Sequence, residues 1–263
     1  MPTSFRWALR ARPPRRPCHP AAKLRARLCN SPSENDTMTI NIHCHPASTA
    51  SRAVMLFAAE SGIACNLETI DIFSGQHMGA SYAAVNPNRL IPLLEHGGFR
   101  LTESSAILRY LADTAASPSY PGGLHERARV NERLDWFNTQ LNRDLVYGFV
   151  YPQIFPQHKR ESDAAQQATL AWHASRARQW LDVLDGHFLG ESNAYVCGQS
   201  ITLADYLGAP MVAIGEAARL DYAPYPNIRR WLATMKQLPN WAPVFAAIDG
   251  YAASLASHRF QPL

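Results

Sequence analysis

The sequence predicts two unlike halves, an α/β unit of about 75 residues followed by an all-α domain. Three observations carry that expectation. Strand patterns and one hairpin signal all fall between Thr39 and Leu101. Beyond the Pro/Gly/Ser-rich linker Ser117-Pro118-Ser119-Tyr120-Pro121-Gly122-Gly123, apolar residues recur only at helical spacings. The net positive charge of the chain lies ahead of both halves, in residues 1–37.

The elements follow in order. Ile40 and Ile42 alternate with polar neighbours, which makes 39–44 a strand. Val54, Met55, Leu56, Ala58 and Ala59 give 51–61 the broad apolar face of a helix, and Gly62 stops it. Leu67, Thr69 and Ile70 mark a second strand over 65–70, followed by a polar loop holding Gly75 and Gly79. Glu95-His96-Gly97-Gly98 sits between 91–94 and 99–101, the signal of a hairpin. Ile107, Leu108 and Leu111 define one side of a helix over 104–113. After the linker, long helical stretches run over 124–151 and 163–189, and shorter ones over 202–216, 228–237 and 244–255. Pro210 is expected to kink the first of the short helices.

Of 263 residues, 47% are hydrophobic, which excludes a disordered chain and leaves enough apolar surface for a real core. No run reaches the roughly 18 apolar residues of a membrane span. The net charge of +4 invites a nucleic-acid reading, but residues 1–37 hold eight basic and two acidic residues, or +6. The remainder is −2, and six of the 19 prolines also fall in the basic segment. That segment is expected to be disordered, and translation is expected to begin at Met38, with a targeting sequence or basic tail as alternatives. Five scattered cysteines without a CxxC pair indicate neither a disulfide framework nor a zinc site, and fit a cytoplasmic protein. His43 and His45 share a strand face, but no third metal ligand is placed beside them.

Three stretches carry chemistry. Pro46-Ala47-Ser48-Thr49-Ala50-Ser51-Arg52 joins the first strand to the first helix, where free N–H groups and a hydroxyl can stabilise a thiolate. Any of Ser48, Thr49 and Ser51 can equally serve as the helix cap. In Asn86-Pro87-Asn88-Arg89-Leu90-Ile91-Pro92, a cis proline would turn the backbone of Ile91 toward an extended peptide-like ligand. Glu103-Ser104 opens a helix and pairs an anion site with an acid, suited to the two charges of an α-amino acid. Trp136, Phe137, Tyr147, Phe149 and Tyr151 offer an apolar surface on the long helix, for core packing or for an acceptor pocket.

Together these residues resemble the thioredoxin-like domain of a glutathione S-transferase. The resemblance rests on Ser48 to Arg52, Asn86-Pro87 to Ile91-Pro92, and the run from Phe99 to Leu111. In the helical half, Tyr195 to Asp205 is similar to the family's N-capping motif, with Thr202 as N-cap and Asp205 as its partner. It implies a thioredoxin-like glutathione-binding domain over 38–116, a linker over 117–123 and an all-helical domain over 124–263. It also implies a homodimer, glutathione as cosubstrate with no metal, and a small hydrophobic electrophile as second substrate; the charge split and the lack of a membrane-length apolar run are why no nucleic-acid or membrane partner is expected. By resemblance Ser48 matches the active-site serine of theta- and phi-like members, and Pro92 the cis-proline. Ile91 matches the residue that pairs with the cysteinyl backbone, Glu103 and Ser104 the grip on the γ-glutamyl end, and His77 a loop residue near the glycyl carboxylate. Leu90 departs from the polar residue many relatives carry there. The implied activity is transfer of glutathione to an electrophile; dehalogenation, peroxide reduction, isomerisation and a non-catalytic binding module are the alternatives.

Overall fold

The computed structural model describes residues 39–263, which fall within one compact unit. The expectations for 1–37 lie outside the described residues. A four-stranded sheet has the order β2-β1-β3-β4, built from β1 (Ile40–Cys44), β2 (Cys65–Thr69), β3 (Leu93–His96) and β4 (Phe99–Leu101). β1 runs parallel to β2 and antiparallel to β3, and β3 is antiparallel to β4. Helix α1 (Thr49–Glu60) is the crossover that a parallel β1–β2 pair requires. Gly97 and Gly98 both take positive φ, at 56° and 80°, as a two-residue hairpin turn demands.

Three local readings need correction. α1 begins at Thr49 rather than Ser51, because the Ser48 side chain caps it by accepting from the Ser51 N–H. The expected polar loop contains a short helix, α2 (Ala80–Val85), in which only Tyr82 is buried. One buried residue in six leaves no period to read. The third strand starts at Leu93, since the cis Ile91–Pro92 bond turns the chain just before it. Helix α3 (Ser104–Thr114) then packs Ile107, Leu108 and Leu111 into the core.

Helices fill the rest. α4 (Leu124–Trp136) continues without a break through a π-helical run over Phe137–Val150 into α5 (Tyr151–Ile154). α6 (Asp163–Val183) is prolonged by a π-helical turn to Leu189. α7 (Leu203–Ala217) is buried along nearly its whole length, and Pro210 lies inside it. α8 (Pro226–Met235) and α9 (Trp241–Ser254) complete the fold. α7 packs against α1, where Phe57 and Tyr206 meet edge to face at 5.1 Å. Gly208 is required where α7 meets the π-helical run, because a Cβ at that position would lie 2.2 Å from the Phe137 ring.

The expected cap at Thr202 is present. Asp205 accepts from the Thr202 N–H (2.8 Å), the Thr202 hydroxyl (2.9 Å), the Val196 N–H (2.9 Å) and the Trp231 indole (2.9 Å). Four donors on one fully buried carboxylate tie the loop before α7 to α8. Among the described residues, no helix is long and apolar enough to cross a membrane.

Candidate active site

The turn between β1 and α1 is held from several sides. The Ser48 N–H donates to the His45 carbonyl at 2.9 Å, and the Ala47 N–H donates to His45 Nδ1 at 3.1 Å. Arg52, fully buried, donates through Nη1 to the carbonyls of Pro46 (2.8 Å) and Ala47 (3.0 Å). Burial pushes the Arg52 guanidinium down to about 10, so it remains a cation at neutral pH. That cation sits directly behind the turn that carries Ser48.

The three hydroxyls that the sequence leaves open are now distinct. Ser51 is fully buried, and its oxygen accepts from the His45 N–H at 3.3 Å. Thr49 is buried, with its hydroxyl 2.7 Å from the Tyr151 hydroxyl. Ser48 alone of the three lines a cavity, of about 240 Å³. Ala47, Ile72, His77, Leu90, Ile91, Tyr147, Tyr151 and His158 are among its other walls.

A second, smaller cavity of about 110 Å³ adjoins the first, sharing Leu90, Ile91 and Tyr147 with it. It is lined by Pro92, Glu103 and Ser104, together with Asn86, Asn138 and Asn142. The Leu90 carbonyl between the two is clamped by the Asn86 amide (2.7 Å) and the Tyr82 hydroxyl (2.9 Å). That clamp fixes Ile91, whose own N–H and C=O find no hydrogen-bond partner among the described residues. Glu103 takes a positive φ of 67° as the residue before α3. Only a few per cent of non-glycine residues adopt such a backbone. The N-termini of α1 and α3 thus both open onto this pair of cavities, and each brings the partial positive charge of a helix start.

All six residues singled out in the sequence fall on this pair of cavities: Ser48 and His77 on the first, Pro92, Glu103 and Ser104 on the second, Ile91 on both. His77 keeps a buried Nδ1 without a protein partner. Of the five aromatic candidates, Tyr147 and Tyr151 line the first cavity, whereas Phe137 and Phe149 are core. Trp136 packs between Phe137, Trp180 and Phe188. Phe155 and His158 also line the first cavity and were missed, because the long helix was expected to end near Tyr151. Phe155 follows the end of α5 in an extended conformation and His158 lies in a separate 3-10 turn, so no helical spacing marks them in the sequence. Asn138 and Asn142, one turn apart, were missed as well.

His43 and His45 do not converge. His43 Nε2 donates to Glu95 Oε2 at 2.8 Å across the sheet, and His45 is engaged with the turn.

Comparisons with known proteins decide the family. A family profile described as "Glutathione S-transferase, N-terminal domain" matches residues 47–114, and one described as "Glutathione S-transferase, C-terminal domain" matches 143–239. Glutathione S-transferase theta-1 of Homo sapiens is 36% identical over 181 residues, 68% of this chain and 72% of the relative. The chain belongs to the glutathione S-transferase family.

Other relatives of this glutathione S-transferase family member agree. The theta-1 protein of Bos taurus is 35% identical over the same shares of both chains. Among solved structures, human glutathione transferase theta-2 in complex with glutathione and an unknown ligand superposes with a TM-score of 0.74 at 26% identity. It covers 85% of this chain and 93% of that one. A delta-class glutathione transferase of Nilaparvata lugens gives 0.69 at 31% identity, covering 83% and 99%. The glutathione S-transferase fold of this chain is therefore the four-stranded thioredoxin-like sheet with its helices, followed by the helical half.

Proposed function

We propose that this chain is a cytoplasmic glutathione transferase that activates the thiol of glutathione at Ser48 and directs it at an electrophile held against the Tyr147–His158 stripe. The observation that carries the reading is the shared Leu90–Ile91 wall. It joins the cavity of Ser48 to the cavity of Glu103 and Ser104, in the way one extended tripeptide needs. In this reading the cysteinyl backbone pairs with the free N–H and C=O of Ile91, beside the cis-proline Pro92. The γ-glutamyl carboxylate meets Ser104 and the start of α3, and its ammonium meets Glu103. His77, with its unpartnered Nδ1, faces the glycyl end.

The chemistry follows from the thiol's acidity. A free thiol has a pKa of about 8.5, so only a few per cent is thiolate at neutral pH. The Ser48 oxygen already accepts from the Ser51 N–H, which leaves its O–H to donate to the sulfur. That bond, the α1 N-terminus and the buried Arg52 cation all favour the anion, by about one to two pKa units. The S–H proton leaves to solvent, the sulfur lone pair attacks the electrophilic carbon, and the leaving group departs with its bonding electrons. Ser48 donates a hydrogen bond and forms no covalent bond.

The division into 38–116, 117–123 and 124–263 and the assembly as a homodimer belong to the same proposal. Detoxification of small hydrophobic electrophiles is the role such a pocket would serve. The test is glutathione-dependent turnover of a diverse electrophile and peroxide panel by the wild-type protein and Ser48→Ala. Ser48→Ala is expected to raise the pKa of bound glutathione and to lower turnover at neutral pH about ten- to hundred-fold, the scale of a hydrogen bond to an anion. An unchanged thiol pKa would overturn the assignment of Ser48. Retention on glutathione resin without turnover of any acceptor would favour a binding module.

A further inference from the structure

Tyr151 stands apart from the other aromatic residues of the acceptor wall. It lines the cavity of Ser48, and its hydroxyl meets the first residue of α1. The Tyr151 hydroxyl lies 2.7 Å from the Thr49 hydroxyl and accepts from the Thr49 N–H at 3.4 Å. The Thr49 hydroxyl in turn accepts from Arg52 Nη2 at 3.4 Å, and Arg52 Nη1 holds the carbonyls of Pro46 and Ala47, the two residues before Ser48. Tyr151, Thr49 and Arg52 are all buried. One hydrogen-bonded path therefore runs from the acceptor wall to the turn that carries Ser48, between residues 102 positions apart in sequence. The first-turn N–H groups are sorted by it: Thr49 gives to Tyr151, and Ser51 gives to Ser48. No hydrogen bond of this kind joins Tyr147, Phe155 or His158 to α1; those residues meet the wall through ring contacts at 4.9–6.3 Å.

We propose that Tyr151 is a positioning residue for the transfer reaction, its hydroxyl locking the acceptor wall to the start of α1 so that thiolate and acceptor are held in one fixed arrangement. The inference rests on the reading of Ser48 as the thiol's donor. A buried N–H without an acceptor is unfavourable, so removing the Tyr151 hydroxyl must let the first turn of α1 shift toward another partner. A displacement of that turn moves Ser48 and weakens its bond to the sulfur, and small misplacements of reacting groups are strongly felt in rate.

The experiment compares Tyr151→Phe, Thr49→Val, the double variant and Thr49→Ser. Two quantities are read: ionisation of bound glutathione, from thiolate absorbance against pH, and kcat and KM for both substrates. Tyr151→Phe is expected to lower kcat/KM for the acceptor about three- to ten-fold, the scale of one hydrogen bond, with the KM for glutathione within about two-fold. Its bound thiol pKa should rise, by less than in Ser48→Ala. Thr49→Val, which keeps the N–H bond to Tyr151 but removes the hydroxyl that links Tyr151 to Arg52, should move both quantities in the same direction, the double variant should lose no more than the worse single one, and Thr49→Ser should keep the wild-type values. A wild-type thiol pKa in Tyr151→Phe, or a double variant whose loss is the product of the two single losses, overturns the inference. Should Tyr151→Phe fail to fold, Thr49→Val against Thr49→Ser carries the same test. If Ser48→Ala itself leaves the thiol pKa unchanged, the Ser48 reading fails; if only Tyr151→Phe leaves it unchanged, the coupling alone fails.

Discussion

Capping a helix and facing a ligand are compatible tasks for a single hydroxyl. The Ser48 oxygen uses a lone pair on the Ser51 N–H and keeps its hydrogen, so the cap that a sequence would suggest and the thiol donor proposed above are the same group. His45 is the neighbour that makes this turn sensitive to acid. Burial lowers the pKa of its imidazole, against a weaker opposing pull from Asp71. The Ala47 N–H donates to Nδ1, which requires that nitrogen to be unprotonated. The folded state thus favours neutral His45, while the unfolded chain takes up its proton near pH 6.5. The stability from this group is complete above about pH 6.5 and is lost as the pH falls below it. Thermal melts between about pH 7.5 and 5 should show that decline, and His45→Asn, which keeps an acceptor and binds no proton, should show less of it.

At the scale of elements, the helical half is pinned at Asp144 within the π-helical run. Its buried carboxylate accepts from Arg143 (2.8 Å), Trp180 (2.7 Å), His173 (2.8 Å) and Arg176 (3.3 Å), so the run is tied to α6. Burial alone would raise this carboxyl, but the donors from Arg143, Trp180 and His173 outweigh it and hold the group well below the usual carboxylate range. Gly148 lets α6 come this close, since a Cβ there would lie 2.2 Å from the His173 ring. Asp144→Asn is expected to destabilise the fold by about 1–3 kcal/mol, read from chemical denaturation at neutral pH. Because the folded pKa is depressed, the difference between the two proteins should shrink as the pH falls below about 4. The strands, α1, α3 and the cap at Thr202 were legible because each has its own period or punctuation. α2 was not, with Tyr82 as its single buried residue. The placement of Ser48, Pro92 and Glu103-Ser104 on the two cavities follows for the same reason, since each sits at a strand or helix boundary. Asn138, Asn142, Phe155 and His158 sit mid-helix or past a helix end. They reach the cavity walls only through packing that no local pattern encodes.

For the whole molecule, the proposed dimer has an apolar surface to cover. Phe99 on β4 is 48% exposed, with its ring 5.4 Å from that of Tyr110 on α3. Light scattering of the purified protein is expected to give twice the chain mass, and Phe99→Lys is expected to shift the population toward the single chain; a monomeric wild type would overturn the assembly.

The walls of the site have different origins. Ser48, Ile91 and Ser104 come from three separate turns, while Tyr147, Tyr151, Phe155 and His158 come from one stretch of 12 consecutive positions. Gene copies of such a protein can diverge in what they attack by altering one stripe, without rebuilding the reagent they attack with. Tyr151 is the brake on that drift. A change there would disturb α1 along with the wall, so it should be the member of the stripe that lineages alter last.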